Sequence, residues 1–147
     1  MQNQKPSQII PKPWGHEVWF AEQDSYVGKI LHIKKGHRYS LQYHEEKTET
    51  QYLLSGKVKF LVGTDINALE EIILNPGDKI DIFPGQIHRA EALEENTQIL
   101  EVSSNDLDDV VKLSDDYGRE GKGNNFELDR KLSGKENFEL DRSHSEA

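Results

Sequence analysis

At 147 residues and 34% apolar content the chain has material for one hydrophobic core, which sets the expectation of a single domain with a solvated extension. A formal net charge of −9 argues against a sequence-independent grip on nucleic acid or on an anionic membrane, because either partner requires a basic face. With no cysteine, disulfides and thiolate ligands are excluded, so any metal must be held by nitrogen and oxygen. Residues 1–10 are polar and no stretch approaches the ~20 apolar residues of a membrane span, so the expected protein is soluble and cytoplasmic.

After an N-terminal arm (residues 1–12), short β-rich runs recur about every ten residues from Trp14 to Ser103, the spacing of a sandwich or closed barrel. Strands are predicted over residues 15–20, 26–34, 39–44, 49–55, 57–62, 69–74, 79–83, 87–93 and 97–103. The breaks carry turn chemistry: Lys35-Gly36, Ser55-Gly56, Asn75-Pro76-Gly77-Asp78 and Pro84-Gly85. Residues 107–113 read as the one short helix. After Arg119 the composition shifts to Gly, Lys, Asn and Glu, and the hexapeptide Asn125-Phe-Glu-Leu-Asp-Arg130 recurs as Asn137-Phe-Glu-Leu-Asp-Arg142. Two copies are too few to stack as a solenoid, so residues 120–147 read as a flexible polar tail carrying a duplicated linear segment, with Phe126/Leu128 and Phe138/Leu140 as two equivalent anchors.

Side chains alternate faces along a strand, so Gln42 and His44 point one way, joined by Arg38 and Ser40; on the next strand Glu49, Gln51 and Leu53 share a face. If both faces line a barrel interior, an amide, an imidazole and a carboxylate converge, and His88 adds a second imidazole from beyond the Gly85 turn. Gln42, His44, Glu49 and His88 are therefore the candidate ligands of a divalent metal: zinc, manganese, iron, cobalt or nickel all suit such a set.

The spacing of Gly36, Gln42, His44, Glu49 and Gly56 matches the cupin signature G-x5-H-x-H-x4-E-x6-G with one substitution. Pro13-Trp14-Gly15, the run Gly36 to His44, Ser55-Gly56, His88-Arg89, Leu100-Glu101-Val102 and Asp109 to Arg119 together resemble the C-terminal domain of type II mannose-6-phosphate isomerases, in which Gln-x-His replaces His-x-His. The resemblance covers residues 13–119 and implies an all-β, cupin-type double-stranded β-helix (jelly-roll) barrel. The family's H-x-x-R-x-E-H-W run appears as His44 to Gln51 with Lys47, Thr50 and Gln51 in place of arginine, histidine and tryptophan.

The implied activity is metal-dependent aldose–ketose isomerisation of a phosphosugar, with mannose 6-phosphate and fructose 6-phosphate the leading pair, in polysaccharide or nucleotide-sugar supply. Such a reaction moves a proton between C2 and C1 and needs a base, for which His32, Glu101 and Glu45 are candidates. It also needs a phosphate anchor, for which Lys29, Arg38, Lys47 and Arg89 are candidates. Tyr117 and Arg119 either cover the barrel mouth or cap its packing. The alternatives are a non-catalytic or regulatory cupin that binds a sugar phosphate, and an iron oxygenase using two histidines and one carboxylate. Exposed barrel edges make a homodimer the expected assembly.

Overall fold

The computed structural model describes residues 5–134. Twelve strands follow in chain order: β1 (Gln8–Lys12), β2 (Gly15–Glu22), β3 (Val27–Ile33), β4 (Leu41–Tyr43), β5 (Glu49–Ser55), β6 (Val58–Gly63), β7 (Glu70–Leu74), β8 (Lys79–Ile82), β9 (Ile87–Ala92), β10 (Thr97–Ser103), β11 (Val111–Ser114) and β12 (Gly121–Lys122). One helix among the described residues, α1 (Phe126–Ser133), follows them. The strands form two six-stranded antiparallel sheets, ordered β1-β2-β3-β10-β5-β8 and β12-β11-β4-β9-β6-β7. This is the expected jelly-roll barrel, and the nine strands anticipated from alternation are present within two residues at most of their ends.

Turn glycines allow the hairpins to close. Gly56 has φ 84°, and a Cβ there would lie 2.6 Å from the Thr97 Cα, so the β5–β6 turn admits glycine alone.

The interior is divided lengthwise. On β3, β10 and β5 the inward residues at one end are Leu31, Ile99 and Leu53, which are partners in register, and they join Phe60, Val58, Ile82, Leu74, Ala90 and Ala92 in an apolar core. Two residues along the same strands, the inward positions become Lys29, Glu101 and Gln51, again partners in register and again buried. One half of the barrel therefore supplies the apolar burial that favours folding, and the other half is a polar chamber whose groups must pair with one another.

Three elements differ from the sequence expectation. Residues 107–113 are not helical: Leu107 and Asp108 form a turn, and β11 follows, paired with β4 and β12. A seven-residue helix is marginal on its own, whereas Val110 and Val111 suit an extended chain that completes the second sheet. The arm is partly strand, since β1 pairs with β2 from Gln8 to Lys12. The helix lies instead in the tail, on the first copy of the hexapeptide. Asn125 caps it by accepting from the Leu128 amide at 3.0 Å, Glu127 and Asp129 sit in its first turn, and Arg130 and Lys131 in its last, all favourable to the helix dipole. Phe126 meets Trp19 edge-on at 5.9 Å, and Leu132 packs against the core. The second copy, residues 137–142, lies outside the described residues. No helix among the described residues is long and apolar enough to cross a membrane.

Phe60 is fully buried in the core, so Phe60→Ala is expected to cost about 3–5 kcal/mol in urea unfolding, while Tyr52→Ala, on the outer face of β5, is expected to cost less than about 1 kcal/mol.

Candidate metal centre

His44 follows β4, Glu49 opens β5 and His88 lies on β9 directly opposite Gln42 of β4. The barrel brings the three ionisable groups together: one donor atom from each of His44, Glu49 and His88 lies within 4.8 Å of the others, and all three residues are buried. The hydrogen bonds behind the rings fix which nitrogen faces inward. His44 Nδ1 is 2.6 Å from the carbonyl of Asp109 and His88 Nδ1 is 3.0 Å from that of Gln86. A carbonyl only accepts, so each Nδ1 carries the proton, and in the neutral rings both Nε2 atoms present lone pairs to the centre.

There they meet another acceptor. Glu49 Oε1 is 2.8 Å from His44 Nε2 and 3.2 Å from His88 Nε2. His88 Nε2 is a buried polar atom with no hydrogen-bond partner. Lone pairs converging in a buried site are stabilised by a positive charge between them, and a divalent cation would supply it to all three at once. Burial pushes the Glu49 carboxyl upward, but Lys47 and, when the rings carry a second proton, His44 and His88 outweigh it and hold Glu49 well below the usual carboxylate range, so the ligand oxygen is charged. The other Glu49 oxygen accepts from Gln51 Nε2 at 3.4 Å, and that amide also bonds the Tyr39 hydroxyl. Gln42 lines the same cavity beside the cluster, half-buried, with its side-chain oxygen accepting from Ser40 at 2.7 Å. The donor set of nitrogen and oxygen fits a divalent metal.

Around this cluster the polar chamber is a set of ion pairs. Lys47 reaches Glu101 at 3.1 Å, Lys29 lies 3.5 Å from Glu17, Lys12 binds Asp129 at 2.9 Å, and Arg119 bridges Asp115 and Asp129 at 2.8 and 3.1 Å. Lys112 lines the chamber and makes no ion pair among the described residues; its Nζ donates to the Gly123 carbonyl at 2.5 Å. Burial, with Arg119 and Lys12 close by, brings Lys112 down to about 8. Burial and the neighbouring Glu49 charge raise Glu101 despite Lys47.

Of the residues singled out in the sequence, Lys29, Gln42, His44, Lys47 and Glu101 line the chamber together, and Glu49 and His88 complete the metal cluster beside it. The others lie elsewhere. His32 is on the outward row of β3, stacked on His16 at 4.3 Å. Glu45 is exposed, 3.6 Å from Lys122. Arg38 is locked on Asp116 by two hydrogen bonds, and Arg89 donates to the Tyr39 and Ser114 carbonyls; both stand on the far side of the second sheet from the chamber, in a cleft with Lys59 and Glu71. Lys12, Glu17 and Lys112 line the chamber but escaped the sequence reading. Glu17 and Lys112 sit at buried positions of β2 and β11, a periodicity visible only once those strands are assigned.

Comparison with known proteins agrees with this fold. The family model described as mannose-6-phosphate isomerase C-terminal matches residues 2–115. The chain belongs to that family. It is 30% identical over 122 residues to a mannose-1-phosphate guanylyltransferase of Escherichia coli K12, and this match takes in 75% of the chain but only 23% of that relative. Among solved structures, KdgF from Halomonas sp. superposes with a TM-score of 0.59 at 18% identity, covering 71% of this chain and 89% of that one. Oxalate decarboxylase from Bacillus subtilis gives 0.64 at 16% identity, covering 73% of this chain and 30% of that one. A further structure of that decarboxylase, described for its Mn(II) centres, gives 0.58 over 67% of this chain and 27% of that one, also at 16% identity. At these identities the structures establish a shared cupin fold.

Two outcomes test the site. Zinc or manganese is expected to raise the melting temperature of the chelated protein, by an increment that grows with metal concentration, and His44→Ala, His88→Ala and Glu49→Gln are each expected to abolish that increment. Glu17 is driven up by burial but down by Lys29 and Lys12, with a net fall from 4.5 to about 2. A carboxylate depressed in the folded state contributes stability above its unfolded value, and that stability is lost as pH falls from about 4.5 towards 2. Glu17→Gln is therefore expected to flatten the pH dependence of unfolding within that window, measured by circular dichroism melts.

Proposed function

We propose that the protein is a metal-dependent aldose–ketose isomerase acting on a phosphosugar, with mannose 6-phosphate and fructose 6-phosphate as the leading pair. The observation that carries the reading is the juxtaposition, in one chamber of a family member, of a three-donor metal cluster with a buried carboxyl and a lysine free of ion pairing. His44, Glu49 and His88 would hold the metal, with Gln42 adjacent. The Mn(II) centres named for the structurally similar oxalate decarboxylase make manganese one reasonable occupant. When bound, the metal supplies Lewis-acid stabilisation of negative charge developing on the sugar oxygens.

The remaining roles fall to the chain. Glu101 is the base: it is a buried carboxyl that lines the chamber beside Glu49, placed to take a proton from C2 and return it at C1. Lys47, 3.1 Å from Glu101, keeps that carboxylate oriented and stabilises its charged form. Lys112 anchors the phosphate, since it is a chamber cation that makes no ion pair among the described residues, and Arg119 and Lys12 add positive potential beside it. Tyr39 and Trp14, buried on the chamber wall, exclude water from the reacting carbons.

A metal-replete preparation in a coupled assay is expected to interconvert the two hexose phosphates. Glu101→Gln is expected to lower kcat by about 10²–10⁴-fold with little change in KM. Lys112→Gln is expected to raise KM by about tenfold or more. Because Lys112 loses its proton as pH rises through about 8, the wild-type KM is expected to climb above that pH, and the climb is expected to vanish in Lys112→Gln. Metal-loaded protein that converts no hexose or pentose phosphate contradicts the isomerase. Saturable sugar-phosphate binding without turnover supports the second reading, a regulatory cupin, which is favoured by the ion pairing that already engages Lys12, Lys29, Lys47 and Arg119.

A further inference from the structure

An antiparallel sheet that turns one face to water normally carries polar side chains on that face. The first sheet departs from this. On its outer side Ile9 of β1, Val18 of β2, Ile30 of β3, Leu100 of β10 and Tyr52 of β5 are successive partners in register, an unbroken apolar row across five strands. The sequence carries the same signal as adjacent apolar pairs, Ile30-Leu31 and Ile99-Leu100, in which one member enters the core and the other faces out. Two residues along, Val102 stands opposite Gly28, and the Phe20 ring lies across that glycine: a Cβ there would come within 2.6 Å of the ring. Ile9, Phe20 and Val102 are 67%, 47% and 48% exposed.

Polar groups frame this patch and do not interrupt it. His16, His32 and Gln98 form the next row on one side, in register across β2, β3 and β10. At the β8 edge, Thr50 and Lys79 both bond Asp81, at 2.8 and 2.6 Å. An apolar centre inside a polar rim is the anatomy of a protein contact, and contiguous apolar surface on this scale is rare on a molecule that stays alone.

We propose that this face is the contact between two copies of the chain, packed sheet on sheet about a two-fold axis. Charge favours a second copy as the occupant. Each copy carries a net −9, so like surfaces repel wherever acidic groups meet, whereas the centre of this face holds no acidic or basic side chain and is flat enough to meet its own image. Area favours it too. Six strands about 4.8 Å apart and three rows of side chains about 7 Å apart outline roughly 600 Å² of sheet. Side chains standing on that plane expose more surface than the plane itself, which brings the face to the ~800 Å² that each partner of a stable complex buries. Ile30 and Leu100 lie at the centre of the contact, and Tyr52, next to Lys79, lies at its rim.

The test uses the full chain and is independent of catalysis. Sedimentation velocity from about 1 to 100 μM is expected to show a dimer with a dissociation constant in the micromolar range or below. A monomer across that range, whether the face is bare or covered by another part of the polypeptide, overturns the proposal. Val102→Lys puts a charge on the face twice in a two-fold contact and is expected to weaken the dimer by about tenfold or more, with an unchanged circular dichroism spectrum. Ile9→Lys makes the same test from β1 and is read in its place should Val102→Lys fail to fold. Ile73→Lys, at a 43% exposed position of β7 in the second sheet, is expected to leave the dimer intact. A dimer that survives both Val102→Lys and Ile9→Lys, or that is lost in Ile73→Lys, lies on another surface and overturns the assignment. Raising salt from about 0.1 to 1 M screens the repulsion between copies and is expected to tighten the dimer; a dimer that loosens is held by ion pairs and contradicts the apolar contact.

Discussion

The arrangement of this protein turns on one carboxylate oxygen placed between two buried imidazole nitrogens inside the barrel. Glu49 Oε1 faces the Nε2 atoms of His44 and His88, and the carbonyls of Asp109 and Gln86 behind the rings keep the protons on the far nitrogens. Without a cation the site leaves His88 Nε2 with no partner. Such an unsatisfied buried group is rare and marks a place where a ligand would complete the structure. Asp109 shows how closely fold and site are joined: its carbonyl orients His44, while its carboxylate accepts from the amides of Glu45, Glu46 and Lys47 and shapes the loop that leads into Glu49.

The barrel can carry this chamber because burial is divided between its halves. Along β3, β10 and β5, a shift of two residues changes the interior from leucine and isoleucine to lysine, glutamate and glutamine. The apolar half provides the driving force. In the polar half, Lys12, Lys29, Lys47 and Arg119 are each buried next to a carboxylate, an arrangement that adds little net stability but makes removal of either partner expensive, while Lys112 makes no ion pair among the described residues. That cost explains why α1 belongs to the site and not merely to the tail: Asp129 completes the charge balance of Lys12 and Arg119 at the chamber's edge.

Much of this was legible in the chain. Alternation along residues 39–44, 49–55 and 87–93, bounded by Gly56 and Pro84-Gly85, yields strands with defined faces, and the barrel brings His44, Glu49 and His88 together. Family resemblance and spacing pointed to the same residues. What escaped depends on register and partnership, which no local pattern contains. His32 is one residue out of phase with the inward row of β3, so it faces away. Arg38 and Arg89 lie close to the motif in sequence, yet their guanidinium groups serve Asp116 and main-chain carbonyls. Lys112 was hidden because Leu107, Val110, Val111 and Leu113 repeat at helical spacing, while pairing with β4 makes the segment a strand. The first hexapeptide looked like a solvated linear segment because its value lies in a contact with Lys12 and Trp19, more than a hundred residues away.

The most direct measurement is anomalous diffraction from crystals grown with manganese or zinc. A single strong peak at bonding distance, about 2.0–2.3 Å, from His44 Nε2, His88 Nε2 and a Glu49 oxygen is the expected result. A protein that stays metal-free under saturating ion, or that binds the ion at other groups while His88 Nε2 remains unpartnered, contradicts the account.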